Sequence, residues 1–199
     1  MTNRITKLKN ALGIGARMNR FRVYITFPQG LDLSSTGLSE TCDILCSKCD
    51  GFPEFGADAT EVHTQGRKLF IPKQGDNGGD WTATFYNSET HDLKRAFIAW
   101  AKAVDHPISN TTTGSPSDVS VTLKVAQLDS AENETVVGCF YEAFVTKVAG
   151  QDFDGGSAQD VEEFVVTWKY SWFDYGEDSE NMRPEQYTPA TKNKTAYNN

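Results

Sequence analysis

The sequence predicts a mainly β protein in which antiparallel strands form a barrel or sandwich with one flanking α-helix. Several segments alternate apolar and polar residues with a period of two, which is typical of half-buried strands. Only one segment has the 3.6-residue period of an amphipathic helix. The chain has 199 residues, of which 12% are aromatic. This length and composition suffice for one packed domain and exclude a disordered chain.

The strands are predicted from this alternation. It is clearest over residues 20–27, where the apolar side chains of one face are Phe21, Val23, Ile25 and Phe27. The other predicted strands span residues 41–48, 60–63, 68–71, 81–86, 119–126, 135–148 and 161–173. The last strand is expected to carry, on one face, Phe164, Val166, Trp168, Tyr170 and Trp172. The two short strands before and after Gln65-Gly66 are expected to form a hairpin.

The helix is predicted over residues 89–104. Its apolar side chains recur at helical spacing and are Leu93, Phe97, Trp100 and Val104. We expect Ser88 to cap its N-terminus, because serine is a favoured residue at that position. Glu89 and Asp92 are expected in the first turn, where the helix dipole favours negative charge.

Charge and composition divide the chain into a basic arm (1–18), a β domain (19–175) and a C-terminal extension (176–199). The first 31 residues contain six basic side chains and no acidic one, while the remainder contains 13 basic against 27 acidic side chains. A body this acidic repels nucleic acid, because affinity for phosphate comes mainly from Lys and Arg. The arm is either a solvated tail or a segment that docks on an acidic neighbour. The extension has too few large apolar residues to bury itself alone.

Three of the four cysteines have a spacing that is known from metal sites. Cys42, Cys46 and Cys49 form a C-x3-C-x2-C pattern, as in some iron–sulfur proteins. A strand over residues 41–48 would direct Cys42 and Cys46 to one side and Cys49 to the other, which does not converge on a metal. Free thiols are therefore favoured. A zinc site with Cys139 as fourth ligand and disulfides between subunits remain alternatives.

The sequence contains no recognisable catalytic constellation, so we expect no enzyme, cofactor or metal. The three histidines are far apart in sequence, and they are His63, His91 and His106. The serines lack the G-x-S-x-G frame, and Gly13-Ile14-Gly15 lacks the third glycine of a dinucleotide loop. The segment 152–155 starts like a calcium loop but lacks its last ligands. We also expect no signal peptide, because no continuous apolar stretch follows the basic residues near the N-terminus. No membrane partner is expected either, because no run of about 18 apolar residues exists.

The centre of the chain resembles the tail-tube proteins of contractile-tailed bacteriophages. That family shows a D-W-T-x-T strand, an N-x-E-x-H-D helix start and a helix with F-x-x-W. The residues that carry this signature here are Asp80, Trp81, Asn87, Glu89, His91, Asp92, Phe97 and Trp100. The match extends from the opening strand at 19–23, through Gly51-Phe52-Pro53, to the aromatic strand at 164–175, and so covers about residues 19–175.

The resemblance implies that the chain forms hexameric rings that stack into a hollow tube inside a contractile sheath. It implies as partners the tail sheath, baseplate and tail-terminator proteins, with ejected DNA passing through the lumen without specific binding. The expected location is the phage virion, assembled in the host cytoplasm. Related tubes occur in R-type pyocins and in type VI secretion. The alternatives are a baseplate tube-initiator ring, a type VI tube that carries effectors, and, remotely, a metal enzyme that uses Cys42, Cys46 and Cys49.

Two surfaces are expected to matter for such assembly. Acidic side chains are expected on the lumen, because repulsion between like charges keeps DNA from adhering. This repulsion acts over a Debye length of about 8 Å at physiological ionic strength. The unit from Cys42 to Pro72 is expected to reach the adjacent ring, with the basic arm as second candidate. Strand edges that pair from subunit to subunit would leave no free edge in a closed ring.

Overall fold

The computed structural model describes residues 4–13, 15–29, 31, 37–54, 56, 58–64, 66–73, 78–107, 115–150 and 161–176. The helices in this part of the chain are α1 (Arg4–Leu12), α2 (Leu38–Leu45), α3 (Asp92–Val104) and α4 (Pro116–Val119). The strands are β1 (Phe21–Ile25), β2 (Cys46–Cys49), β3 (Asp58–Thr64), β4 (Arg67–Lys73), β5 (Gly79–Tyr86), β6 (Val121–Leu128), β7 (Glu134–Val148), β8 (Glu163–Tyr170) and β9 (Trp172–Gly176).

Seven strands form one antiparallel sheet, and β3 and β4 form a separate hairpin. The order in the sheet is β1-β6-β7-β8-β5-β2, and β9 adds to β7. The predicted mainly β, antiparallel class is therefore confirmed. The prediction of a single helix is wrong, because α1, α2 and α4 are helical as well. Most of the predicted extension (177–199) lies outside the described residues. None of the described helices combines the length and the hydropathy that crossing a membrane requires.

The longest feature of the sheet is a ribbon in which β7 pairs first with β9 and then with β8. Tyr141 lies opposite Trp172, and Phe144 lies opposite Lys169, so the register continues across the break between β8 and β9. Ser171 fills that break, and its N–H donates to the carbonyl of Tyr141 at 3.1 Å. The ribbon thus continues from one part of the sheet to the other without losing its pairing.

The side chains of the ribbon change face at this break. Glu142 has a φ of 55°, a left-handed conformation that is unusual for a residue other than glycine. Before it, Phe140 is buried in the main core, and after it Ala143 is buried there. Regular alternation would bury residues two apart, so Glu142 shifts the pattern by one residue.

The strands paired with β7, which are β8 and β9, change face at the same place. Tyr170 belongs to the main core, and so does Phe173, whereas Trp172 packs on the opposite side. There the Trp172 ring stacks on Tyr141, with centroids 3.7 Å apart. The prediction that Trp172 shares a face with residues such as Phe164 is therefore wrong, because the face changes at Ser171.

The centre of the core is formed by aromatic side chains of α3 and the sheet. Phe97 and Trp100 are fully buried. The ring of Phe97 lies 5.4 Å from Phe85 and 5.5 Å from Trp168, the latter at 82°. Burial of one such side chain stabilises a fold by about 1.5–3 kcal/mol relative to exposure. The sheet side chains predicted to face inward are also buried, namely Trp81, Ala83, Phe85, Phe164, Val166 and Trp168.

Residues 38–45 form α2, and the strand predicted over 41–48 is therefore wrong in its first part. The helix buries Leu38 and Cys42. In a strand, Ile44 would lie on the same face as the buried Cys42 and would be buried with it. Ile44 is instead 71% exposed. Helical spacing therefore explains the burial pattern better than alternation does.

Helix α2 covers the edge of β1. The carboxylate of Asp43 accepts the N–H of Val23 at 2.9 Å and lies 3.3 Å from the Nε of Arg22. An edge strand whose N–H groups are unpaired invites pairing with another chain. Asp43 therefore satisfies one donor of β1 within the subunit.

The Gly51-Phe52-Pro53 segment that follows β2 packs on the sheet through its aromatic ring. A Cβ atom at Gly138 would lie 2.6 Å from ring carbons of Phe52. The same ring stacks on Tyr175, with centroids 6.1 Å apart. Only glycine therefore lets Phe52 lie this close to β7.

We expect Gly138→Ala to lower the free energy of unfolding by about 1–3 kcal/mol, because the added methyl group has to displace the Phe52 ring. Urea unfolding followed by tryptophan fluorescence measures this difference. Gly51→Ala is the matched control, because a Cβ at Gly51 meets no atom within 4 Å. Equal stability of Gly138→Ala and wild type would contradict the packing.

Candidate assembly surfaces

The D-W-T strand holds the segment after β2 in place. Trp81 is buried, and its Nε1 donates to the carbonyl oxygen of Asp50 at 2.9 Å. The N–H of Asp50 donates to the carbonyl of Thr82 at 2.8 Å, and its carboxylate accepts the N–H of Thr82 at 3.0 Å. Asp80 is exposed and faces Lys169 across the strands at 3.5 Å. Trp81 is thus a buried anchor, whereas Asp80 makes a surface ion pair of small energetic value.

The N-x-E-x-H-D segment forms a hydrogen-bonded cluster at the start of α3. The Asn87 Nδ2 donates to Glu162 at 3.0 Å and lies 2.6 Å from the Nδ1 of His91. An amide nitrogen only donates, so in this contact the Nδ1 of His91 is the acceptor. His91 occupies the N-cap position with a φ of 56°. This left-handed conformation costs about 1–2 kcal/mol, and the hydrogen bond to Asn87 helps to hold it.

These positions correct the predicted helix start. α3 begins at Asp92, and His91 rather than Ser88 is its N-cap residue. The hydroxyl of Thr90 donates to the Asp92 carboxylate at 2.6 Å. Glu89 is exposed and precedes the helix, so it does not lie in the first turn as predicted. Nothing in the structure explains why a glutamate stands at position 89 of the signature.

A partly buried ion pair completes the cluster. Lys94 is only 7% exposed, and its Nζ lies 3.2 Å from the carboxylate of Glu162. Partial burial alone would raise the pKa of Glu162. The hydrogen bonds from Asn87 and Lys94 outweigh it and place the pKa below its ordinary value of 4.5. Because a buried ammonium group without a partner is costly, this pair couples α3 to the residue before β8.

The last two signature residues are core residues. Phe97 packs among the aromatic rings described above, and the Nε1 of Trp100 donates to the carbonyl of Val119 at 2.7 Å. The signature therefore comprises buried anchors (Trp81, Phe97, Trp100), a hydrogen-bonded cluster (Asn87, His91) and positions at the surface or the helix start (Asp80, Glu89, Asp92). Two members of the cluster, Lys94 and Glu162, were not predicted from the sequence.

The β3–β4 hairpin is exposed along both of its strands. Every residue of both strands is exposed, and the two strands pair with each other at the predicted positions. Val62, Leu69 and Ile71 share one face and are 38%, 55% and 50% exposed. Phe70, on the other face, is 64% exposed. A two-stranded hairpin is marginally stable alone, and exposed apolar clusters mark interaction surfaces.

The basic arm contains a second exposed apolar surface. Residues 4–12 form α1, in which no residue is buried. Ile5, Leu8 and Leu12 are spaced so that they share one side of the helix, and they are 59%, 62% and 63% exposed. The basic residues Arg4, Lys7 and Lys9 lie between them in sequence. The arm is thus an amphipathic basic helix over these residues rather than a tail without structure.

The cysteines are arranged differently from the prediction. Cys42 lies in α2, while Cys46 and Cys49 lie in β2, which contains a bulge of one extra residue. Cys46 is opposite Phe85 and Cys49 is opposite Ala83, so both thiols face the same side. The prediction that they face opposite sides is wrong because of this bulge. Within the part of the chain that the structure describes, no three His, Cys, Asp or Glu side chains are grouped to hold a metal.

Comparison with solved structures identifies the fold. The cap that terminates the tube of the anti-feeding prophage is 14% identical, with a TM-score of 0.58 over 82% of this chain and 91% of that chain. The sheath/tube terminator of the extracellular contractile injection system PVC is 14% identical, with a TM-score of 0.53 over 80% and 95%. A chain of the anti-feeding prophage baseplate is 14% identical, with a TM-score of 0.53 over 81% and 95%.

The chain therefore shares its fold with the tube cap, the sheath/tube terminator and the baseplate chain of these contractile systems. This confirms the fold that the signature residues predicted. No protein-family model matches the sequence, and no curated protein matches it either.

We expect Glu162→Gln to flatten the pH dependence of stability. A carboxyl group whose pKa is lowered by folding stabilises the protein above its ordinary pKa, and this contribution is lost as the pH falls through the folded pKa. The wild type should therefore lose unfolding free energy relative to Glu162→Gln from about pH 5 downwards. Urea unfolding at stepped pH values measures the two slopes.

Glu163→Gln serves as the control, because Glu163 is an exposed neighbour in β8. Its pH dependence should follow the wild type. If Glu162→Gln and wild type lost stability in parallel, the hydrogen bonds of Glu162 would not have the proposed effect on its carboxylate.

Proposed function

We propose that this protein is a structural subunit of the tube of a contractile particle, in which hexameric rings stack around a channel. The observation that carries the proposal is the exposed β3–β4 hairpin on a body with the tube fold. A hairpin whose apolar side chains are all left in water has no evident role in the subunit itself. Contact with the next ring would bury Leu69 and Ile71 and so remove this apolar surface from water.

The proposed partners follow from this role. Further copies of the chain form the ring and the stack, and a sheath protein surrounds the tube. Baseplate and terminator proteins close its two ends. The proposed location is a virion or a similar particle, assembled in the host cytoplasm. Ejection of DNA through the lumen is the proposed task if the particle is a phage.

A ring at the end of a tube is the second candidate. The solved structures described above come from a tube cap, a sheath/tube terminator and a baseplate, and not from a tube alone. A cap or an initiator would form one ring without stacking further. Assembly of the purified wild type therefore separates the two candidates: long tubes favour the first, and single rings favour the second.

We further propose that the channel wall is acidic. The support is the composition, because 27 acidic residues face 19 basic ones and six of the basic residues lie within the first 31 residues. Like charge at short range would keep DNA phosphates from adhering to the wall. A channel for DNA requires a wall that does not hold phosphates, since strong binding to the wall would stop the movement of the DNA.

We expect Leu69→Glu combined with Ile71→Glu to abolish stacking without unfolding the subunit. Each buried side chain of this size contributes about 1.5–3 kcal/mol, so loss of both raises the critical concentration for tube formation at least about 100-fold. Negative-stain microscopy and sedimentation velocity measure assembly, and circular dichroism measures folding.

Val161→Glu is the matched control, because Val161 is 64% exposed and lies outside the hairpin. It should assemble as the wild type does. Leu8→Glu tests α1 as the second stacking surface in the same assay. Normal tubes from the double hairpin variant would remove the hairpin from the proposal, whatever Leu8→Glu does.

We expect assembled wild-type protein to leave micromolar duplex DNA in the supernatant on sedimentation at about 50 mM salt, where proteins with several phosphate contacts bind strongly. The comparison is a variant that lacks residues 1–18, because this segment contains four basic side chains and no acidic one. Co-sedimentation of DNA with both proteins would contradict an acidic channel.

A further inference from the structure

Helix α1 has an apolar face that its own subunit leaves in water. None of its nine residues is buried, and Leu8 and Leu12 are 62% and 63% exposed. Arg4 and Lys9 lie on the two sides of this face, because successive residues of a helix are about 100° apart. An apolar helix face that stays exposed marks an interaction surface, and the flanking charges favour an acidic partner.

An open cavity of about 740 Å³ lies between β1 and β2, the two end strands of the sheet order. Its walls include Phe21, Cys46, Cys49 and Phe52, which pack on the main core and are only half-buried. These side chains therefore contact the core on one side and face the cavity on the other. Pockets that hold ligands have volumes of about 300–1,000 Å³, so this cavity has room for several aliphatic side chains.

The arm that carries α1 joins the body at the rim of this cavity. Met18 and Arg20 belong to the segment between α1 and β1, and both line the cavity. The exposure of Leu8 and Leu12 shows that α1 does not fill the cavity of its own subunit. Each copy therefore presents an exposed apolar helix and an open apolar cavity within a short length of chain.

The charges of the arm and the body are complementary. α1 contains three basic side chains and no acidic one, while residues 32–199 contain 13 basic against 27 acidic side chains. At the rim of the cavity, Asp50 is accompanied by Arg20 and Lys48, so the attraction comes from the acidic body as a whole. Such an attraction brings the arm to a second body, and the apolar contact then fixes its position.

We propose that α1 of one copy packs into the cavity between β1 and β2 of a second copy, with Leu8 and Leu12 against Phe21 and Phe52. The helix and the cavity are different surfaces, so the contact is heterologous, and contacts of this type generate rings when the rotation closes. The inference rests on the proposed function, because it names the partner of α1 within the proposed assembly.

The native thiols of the cavity make this contact measurable. Leu8→Cys should form a disulfide with Cys46 or Cys49 of a second copy when the full-length protein is oxidised with copper–phenanthroline. We expect covalent dimers and larger species on a non-reducing gel, all reversed by dithiothreitol. Mass spectrometry should identify the joined peptides. Adding Cys46→Ser and Cys49→Ser to the variant should remove this bond.

Asn10→Cys is the matched control, because Asn10 lies on the opposite side of α1. Its yield should be at least about 10-fold lower, since a disulfide forms only between residues whose Cα atoms lie within about 7 Å. Equal yields from the two variants would overturn the docking, and so would a bond of Leu8→Cys within one chain. Cross-linking of these thiols by Leu69→Cys in place of Leu8→Cys would assign the cavity to the hairpin and also overturn it.

Sedimentation velocity of the wild type separates this inference from the proposed function. Rings or tubes of the wild type, without the bond from Leu8→Cys, would overturn the docking of α1 and leave the proposed function standing. A wild type that stays monomeric at all concentrations would overturn both.

A pair of charge variants tests the apolar contact in the same assay. Leu8→Glu should weaken association at least about 10-fold, because one leucine is lost from the contact. Asn10→Glu adds the same charge on the opposite side of α1 and should associate nearly as the wild type does. Equal weakening by both variants would show that only charge matters and would overturn the packing of α1 in the cavity.

Discussion

The fold depends on one constraint. β7 pairs with β9 over its first part and with β8 over its last part, and both parts have to supply side chains to the core. β7 and its partner strands keep their register across the break between β8 and β9, but each changes face by one residue at Glu142 and Ser171. With strict alternation, Trp172 would point inward in place of Phe173. Because both strands shift at the same point, Ala143 and Phe173 belong to the same core as Phe97 and Trp100.

Much of the sheet was predictable, because half-buried strands bury every second residue. β1, β5, β6, β7 and the hairpin were all predicted near their observed positions. The change of face at Ser171 was not predictable. The residues around Ser171 are nearly all aromatic, so both faces of the strand have apolar side chains there. α2 was missed for a related reason: Cys42, Ile44 and Cys46 alternate in sequence, while the buried residues Leu38 and Cys42 follow a helical period.

The candidate site residues were predicted only where the chemistry is local. Asn87 and His91 are four residues apart and meet directly, so a short motif can record their contact. Their partner Glu162 lies 75 residues from Asn87 and 68 from Lys94. No local pattern reveals such a pair, because a lysine on a helix and a glutamate before a strand are ordinary surface residues in most proteins. Only the fold shows that Lys94 is buried.

The way the subunit treats its exposed surfaces bears on how copies would associate. At β1, Asp43 accepts the N–H of Val23, so this backbone donor is satisfied within the subunit. At the hairpin and α1, by contrast, the apolar side chains of Leu69, Ile71 and Leu8 remain in water. Backbone donors favour strand addition, whereas apolar side chains favour packing. This contrast favours association through side-chain packing of the hairpin over strand pairing at the edge of β1.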